Sequence, residues 1–365
     1  MKPLFKGIYA GKKALVTGHT GFKGSWLALW LHQMGAEVSG LALDPPSDPS
    51  HFDCLKLPIG STIGTITDAH IVNAAVAEAQ PEIVFHLAAQ PIVRASYADP
   101  AGTYATNVLG TMHVCEACRA TPSVRALVAI TTDKVYRNQE WCWGYRETDE
   151  LGGYDPYSSS KACADILLSS YRDSFLNASN YGTKHNVLMA VTRAGNVIGG
   201  GDWARDRLIP DIARAVSRGE PLVIRSPEST RPWQHVLDCL SGYLLTGARL
   251  LEGNIEVGTA LNFGPPAEDV LPVEAVVRAV IRAWPAVKYR IERPANPPHE
   301  AGVLTLDCSK ARSMLGWNPV WDFETAIDRT ASWYREFYTT GSVQSTRDLD
   351  RYIADACAKE AVWTR

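Results

Sequence analysis

Tyr157 and Lys161 stand four residues apart at the start of PYSSSKACADILLSSY, a spacing that puts both side chains on one face of a helix. A free phenol, with a pKa near ~10, is a poor base at neutral pH, but an ammonium fixed beside it and a cationic ring in front of it stabilise the phenolate. Such a pair can take a proton from a hydroxyl while hydride leaves the same carbon. Tyr-x-x-x-Lys also arises by chance on surface helices, so its weight comes from a second motif. Residues 131–136 (TTDKVY) follow the apolar run ALVAI and fall at the carboxyl end of a strand, where open parallel sheets carry their sites. Asp133 and Lys134 there offer an acid next to a base, with a surface ion pair as the plain alternative.

A third constellation lies near the start of the chain. Gly18, Gly21 and Gly24 in TGHTGFKG sit between an apolar run and a helical pattern, where small residues let backbone approach a pyrophosphate at a helix N-terminus. The spacing is G-x-x-G-x-x-G rather than G-x-G-x-x-G, and tight turns alone also use such glycines. His19 and Phe22 belong to the same turn, and His19 is expected near the cofactor phosphates rather than in the chemistry. Asp44 stands at the end of the next apolar run, where an acid accepts the adenine ribose hydroxyls and repels a 2′-phosphate, which favours NAD over NADP. Asp68 reads equally as a partner for the adenine amino group or as a helix N-cap. Leu87, Ala88 and Ala89 in HLAAQ end another run beside the expected cofactor path.

The elements that must position these residues show in the periodicity. Apolar runs at 13–17, 37–43, 82–87, 126–131 and 187–192 are separated by segments long enough for helices, and 24–34 has Trp26, Leu27, Trp30, Leu31 and Met34 at helical spacing. Strands alternating with helical crossovers imply an α/β fold of Rossmann type, a doubly wound parallel sheet covered on both faces. After Arg193 the chain turns glycine- and proline-rich, which reads as a smaller, irregular C-terminal substrate domain. The expected division is a cofactor domain at 1–192, a substrate domain mainly at 193–340 with about 233–262 returning to the first, and a helical tail at 341–365.

Composition excludes several classes. With 365 residues, 46% hydrophobic and 21% charged, the chain can bury a core and is neither disordered nor a coiled coil. Lys+Arg 36 against Asp+Glu 39 leaves a formal charge of -3 without a basic block, so nucleic acid is not an expected partner. No apolar run approaches the ~20 residues of a membrane span, and the start lacks a secretion-signal core. Of eight cysteines only Cys115 and Cys118 form C-x-x-C, inside a helical pattern with no second Cys/His pair at zinc spacing. They read as reduced packing thiols, with no metal site expected, in a cytoplasmic protein.

The glycine turn, TTDKVY and Tyr157/Lys161, with GNVIGGGDWARDRLIPD, RPWQHVLD and LGWNP, resemble the extended short-chain dehydrogenase/reductase family across essentially the whole chain. Within it they resemble the sugar-nucleotide 4,6-dehydratase branch, closest to the members acting on CDP-glucose. Lys134 carries that distinction, because dehydratases of thymidine-diphosphate glucose and GDP-mannose have Glu at the position. The resemblance implies a bound NAD, and Thr132 sharing the substrate hydroxyl with Tyr157. It further implies that Asp133 protonates the leaving C6 hydroxyl and that Lys134 is a candidate for removing the C5 proton. It also implies that Asn196 and Arg231 hold the diphosphate of a nucleotide sugar, that Arg207 and Leu208 line the nucleotide side and that Glu300 contacts its ribose. Helices near 101–119 and 157–175 would form a seam of a homodimer or homotetramer. A 4-epimerase or a non-catalytic NAD-binding regulator on the same scaffold are the alternatives, against which the Asp133-Lys134 pair and the retained Thr132, Tyr157 and Lys161 argue.

Overall fold

The computed structural model describes residues 3–293 and 303–365. In chain order the first half runs β1 (Lys13–Thr17), α1 (Phe22–Gln33), β2 (Glu37–Ala42), α2 (His51–Leu55), β3 (Gly60–Ile63), α3 (Ala69–Ala79), β4 (Ile83–His86), α4 (Val93–Ala98), α5 (Pro100–Tyr104), a π-helical turn Ala105–Gly110, α6 (Thr111–Ala120), β5 (Ala126–Ile130), α7 (Pro156–Ser174) and β6 (Leu188–Ala194). The second half runs β7 (Val197–Ile198), α8 (Leu208–Arg218), β8 (Leu222–Ile224), β9 (Thr230–Pro232), β10 (Gln234–His235), α9 (Val236–Leu251), β11 (Ala260–Phe263), β12 (Val270–Pro272), α10 (Val273–Ala283), β13 (Tyr289–Ile291), α11 (Ser309–Leu315), α12 (Phe323–Thr340) and α13 (Ser345–Ala358).

Seven strands form one sheet in the order β11-β6-β5-β4-β1-β2-β3, every neighbouring pair parallel. Ala14 lies between Val38 and Ile83, and Val128 pairs with Ala190. β4, β5 and β6 are buried along their whole length, which explains their unbroken apolar runs: a strand covered on both faces has no polar side to alternate with. Trp26, Trp30, Leu240 and Tyr243 of α1 and α9 cover one face; Val72, Val76, Val114, Cys118 and Leu168 of α3, α6 and α7 cover the other. Cys115 and Cys118 are buried there as free thiols. Strand order reverses direction between β1 and β4, and the carboxyl ends there open a crevice.

A third core, including Ile212, Ile224, Trp233, Val276, Val280 and Trp333, holds α8, α10 and α12 together beyond the sheet. α9 and β11 return to the sheet, and α9 is buried on every residue except Arg249. Residues 345–364 are helical but are no loose tail. Tyr352 of α13 and Trp363 pack edge-on against Trp30 of α1, and Trp363 stacks on Phe5 at 5.3 Å. His51 joins the same regions: its Nδ1 lies 2.7 Å from Ser25 Oγ in α1 and its Nε2 2.7 Å from Ser345 Oγ at the start of α13.

Candidate active site

A single cavity of about 1170 Å³ lies over the carboxyl ends of β1, β2, β4, β5 and β6 and runs on under α8, β8 and β9. Its first stretch is the glycine turn. Gly18 has φ +79°, and a Cβ there would come within 2.8 Å of Ala88 N; a Cβ on Gly24 would come within 2.1 Å of Gly18 O. α1 begins at Phe22 with no side-chain cap from Gly21, so the turn presents uncapped helix N–H groups to the cavity, the arrangement a pyrophosphate requires. Phe22, the exposed Asp44, and Leu87, Ala88 and Ala89 line the same stretch. This cradle of close-approach glycines with an acid at the end of β2 fits the dinucleotide NAD.

The Leu87–Ala89 turn is held from beneath. Ala88 N donates to Thr17 Oγ1 at 3.2 Å, and Thr17 Oγ1 lies 2.8 Å from His86 Nδ1. Thr111 Oγ1 donates to Asn107 O, so it must accept from His86 Nε2 at 2.9 Å, which leaves Nδ1 as the acceptor for Thr17. Burial holds this imidazole neutral, its pKa lowered to about 3.

Two residues expected at the cofactor are engaged within the protein. His19 is fully buried with its ring against Gly40 and edge-on to Phe52, and its Nε2 lies 2.7 Å from Ser61 Oγ. The imidazole therefore faces the sheet edge rather than the cavity, and burial lowers its pKa to about 4. Asp68 caps α3, its Oδ1 accepting from His70 N at 2.8 Å and Ile71 N at 3.4 Å, while Gly64, Thr65 and Ile66 form the cavity wall nearby.

The middle of the cavity gathers Thr132, Lys134, Tyr157 and Lys161. Asp155 caps α7, accepting from Ser158 N, and Pro156 opens its first turn, so Tyr157 enters the cavity from a fixed helix start. The Thr132 hydroxyl lies near Tyr157, where it favours the phenolate, and donates to Asp133 Oδ1 at 2.8 Å. Lys161 Nζ donates to Ile130 O at 2.9 Å, and Lys134 Nζ sits 6.0 Å from the centre of the Tyr157 ring. Burial pushes Tyr157 up to about 12 against the opposing Thr132 hydroxyl. Burial lowers Lys161 to about 8. Asp133 is 3% exposed and lies just behind the cavity wall, against Thr132 and Gly195. Burial raises its pKa although Lys134, Thr132, Arg231 and Lys23 pull it down.

Asn196, Arg207, Leu208 and Arg231 line the far stretch. Arg207 Nη1 donates to Asp202 Oδ2 at 3.0 Å, and Arg231 Nη1 to Thr230 O at 2.8 Å. Glu300 lies outside the described residues. Trp203 packs against Trp333, Tyr334 and Phe337, Trp141 stacks on Tyr145 and Trp143 is exposed, so all three pack or face solvent away from the cavity wall. Lys23 was not singled out in the sequence, yet it lines the cavity and its charge is felt by both Asp133 and Lys161. A lysine inside a glycine turn facing a cofactor was the available signal.

The sequence model of the GDP-mannose 4,6-dehydratase family matches residues 15–330. A CDP-glucose 4,6-dehydratase of Salmonella typhimurium is 49% identical over 353 residues, spanning 96% of this chain and 98% of the relative. The solved UDP-glucose 4-epimerase of Thermus thermophilus in complex with NAD superposes with a TM-score of 0.74 at 24% identity, covering 88% of this chain and 98% of that one. A dTDP-glucose 4,6-dehydratase of Bacillus anthracis in complex with NAD gives 0.71 at 22% identity, covering 88% and 96%. At those identities the two structures establish the shared fold.

Proposed function

The chain belongs to the GDP-mannose 4,6-dehydratase family, and from that premise we propose that it is a CDP-glucose 4,6-dehydratase, a hydro-lyase that uses bound NAD to form CDP-4-keto-6-deoxy-glucose and water. The observation that carries the choice of reaction is the Asp133-Lys134 pair beside Thr132 and Tyr157. An epimerase needs only to remove and return hydride at C4, whereas elimination also needs a base for C5 and an acid for the C6 hydroxyl. The choice of nucleotide rests on the 49% identical relative.

Tyr157 accepts the proton of the glucose 4-hydroxyl while Thr132 fixes that oxygen. The buried phenol at about 12 is no base by itself at neutral pH; the Arg207 guanidinium pulls it down, and the Lys161 ammonium on the next turn of α7 is assigned to steady the phenolate. Bound NAD would supply the hydride acceptor for C4 and donor for C6, and a positive ring that favours the same phenolate. The C4 ketone acidifies C5–H, Lys134 takes that proton and gives it back to C5 when hydride reaches C6, and Asp133 gives its own proton to the hydroxyl, which departs as water. Burial favours the protonated Asp133 this step needs, just behind the cavity wall against the Thr132 hydroxyl. Asn196 and Arg231 are assigned to the nucleotide diphosphate, with Arg207 and Leu208 on the nucleotide side; a guanidinium group suits bidentate contact with phosphate.

No helix among the described residues is long and apolar enough to cross a membrane. All eight cysteines are free thiols, which supports a reducing cytoplasm. Exposed Tyr104, Leu109 and Ile166 on the α5–α6 run and α7 support a homodimer or homotetramer built through these helices. Incubation with NAD and CDP-, dTDP- or UDP-glucose, followed by the alkali-induced enone of a 4-keto-6-deoxy sugar, tests the reading. Signal from CDP-glucose is expected. Signal from another nucleotide alone discards cytidine, and silence from all three with NAD bound discards the dehydratase.

A further inference from the structure

Behind the reacting groups lies a buried ion pair that the steps above do not use. Asp165 of α7 is 0% exposed and Arg193 of β6 3%. Arg193 Nη2 donates to Asp165 Oδ1 at 2.7 Å and Nε to Oδ2 at 2.8 Å, a two-pronged contact. Arg193 Nη1 also donates to Tyr136 OH at 2.8 Å, and Tyr136 OH to Asn262 Oδ1 at 2.8 Å, so the guanidinium is anchored to β11 as well. Two charges withdrawn from water are often no more stabilising than two apolar side chains of the same size, so stability alone is a weak reason for such a pair.

The bonding pattern supplies a better one. Lys161 is one helical turn beyond Tyr157, and Asp165 one turn further. Each of the three meets one of three consecutive residues at the end of β5: Lys161 Nζ donates to Ile130 O, Thr131 Oγ1 donates to Asp165 Oδ2 at 3.0 Å, and Tyr157 lies close enough to Thr132 for its hydroxyl to favour the phenolate. Thr131 makes the middle contact, its hydroxyl donating to a carboxylate that Arg193 holds in place.

We propose that Asp165, with Arg193 as its counter-charge, is a positioning residue that sets the register of α7 on the end of β5 and so holds the Tyr157 and Thr132 hydroxyls in reacting geometry. The inference rests on the assignment of Tyr157 and Lys161 made above. A second consequence is electrostatic. Lys161 faces Tyr157 and Asp165 on its own helix, Lys23 from α1 and His86 from β4, with Arg193 of β6 behind Asp165. Asp165 is the anion that keeps the ammonium charged against Lys23, and its loss leaves only cations and neutral groups around it.

The test compares Asp165→Asn, Asp165→Asn/Arg193→Met, Thr131→Val and Tyr157→Phe, each with NAD and CDP-glucose. Asp165→Asn is expected to lower kcat about 100-fold, the effect of a displacement near 1 Å, with KM for CDP-glucose held within about two-fold. The alkaline limb of its kcat profile should move to lower pH. The double variant removes both charges together and should regain the thermal stability lost by the single one, while its kcat stays low. That result separates positioning from stability even where Asp165→Asn alone does not fold. Thr131→Val keeps the ion pair and should lower kcat about ten-fold without lowering Tm. A double variant with wild-type kcat, or a folded Asp165→Asn with an unmoved alkaline limb, overturns the proposal. Activity in Tyr157→Phe overturns instead the assignment of the site on which it rests.

Discussion

Acidification from about pH 7 to about pH 5 should weaken the fold by an amount that the buried side chains set. His51, His86 and His235 are held neutral by burial, their pKa lowered to about 3, and His19 to about 4. In the unfolded chain each takes a proton below about 6.5, so between about pH 6 and about pH 5 the unfolded state holds four protons that the folded state lacks. Stability from such groups is present above 6.5 and lost as pH falls. Asp238 and Asp348 act in the opposite sense: burial pushes both up to about 7, so in this window the folded state holds two protons that the unfolded chain has released. The difference is two protons in favour of the unfolded state, or about 2.7 kcal/mol lost per pH unit. Asp133 and Glu147, also raised by burial, oppose the histidines and make this an upper figure. Against a total stability of roughly 5–15 kcal/mol the loss is large. Urea denaturation followed by tryptophan fluorescence across this window, with a constant m-value, measures it, and His51→Gln should remove about one proton from the slope. A stability that stays flat or rises as pH falls through the window refutes the argument.

Two further predictions concern the cavity. Lys134→Met should still reduce bound cofactor with CDP-glucose but lose enone formation by roughly 10²–10⁴-fold, the contribution of a positioned base; single-turnover absorbance of the reduced nicotinamide against product enone reads the split, and unchanged turnover removes Lys134 from its role. Gly24→Ala puts a methyl group 2.1 Å from Gly18 O, where backbone must yield; at about 1–3 kcal/mol of strain, NAD affinity should fall roughly 5- to 150-fold by fluorescence titration, and an unchanged affinity means the turn does not seat the cofactor.

The parts of the site that lay within one element or one strand end were legible. Tyr157 and Lys161 share a helix face because their spacing is helical, and TTDK had to lie at the crevice because a buried run precedes it. What escaped was whatever depends on partners distant in the chain. Arg193 gave no sign that it would meet Asp165, since strand and helix come together only when the sheet closes. His19 sits in a cofactor turn, yet its ring is drawn beneath the strands because Gly40 leaves room and Ser61 offers a hydrogen bond there. Residues 341–365 carried no motif, and only the fold shows Trp363 and Tyr352 packed on Trp30. Asp68 offered a cap and a ligand on equal terms, and the structure shows the cap through Oδ1.

The histidine between Ser25 and Ser345 has a consequence for how variation is transmitted through the molecule. Both of its nitrogens are engaged, so it behaves as a strut of fixed length between the opening turn of α1 and the opening turn of α13. Ser25 directly follows Gly24, the glycine whose backbone crowds Gly18. A shift of the last long helix is therefore delivered, through one side chain, to the cradle on the far side of α1. Substitutions in α13, remote in sequence from every reacting group, should first be felt as faster loss of the dinucleotide, with the chemistry of those molecules that keep it unaltered.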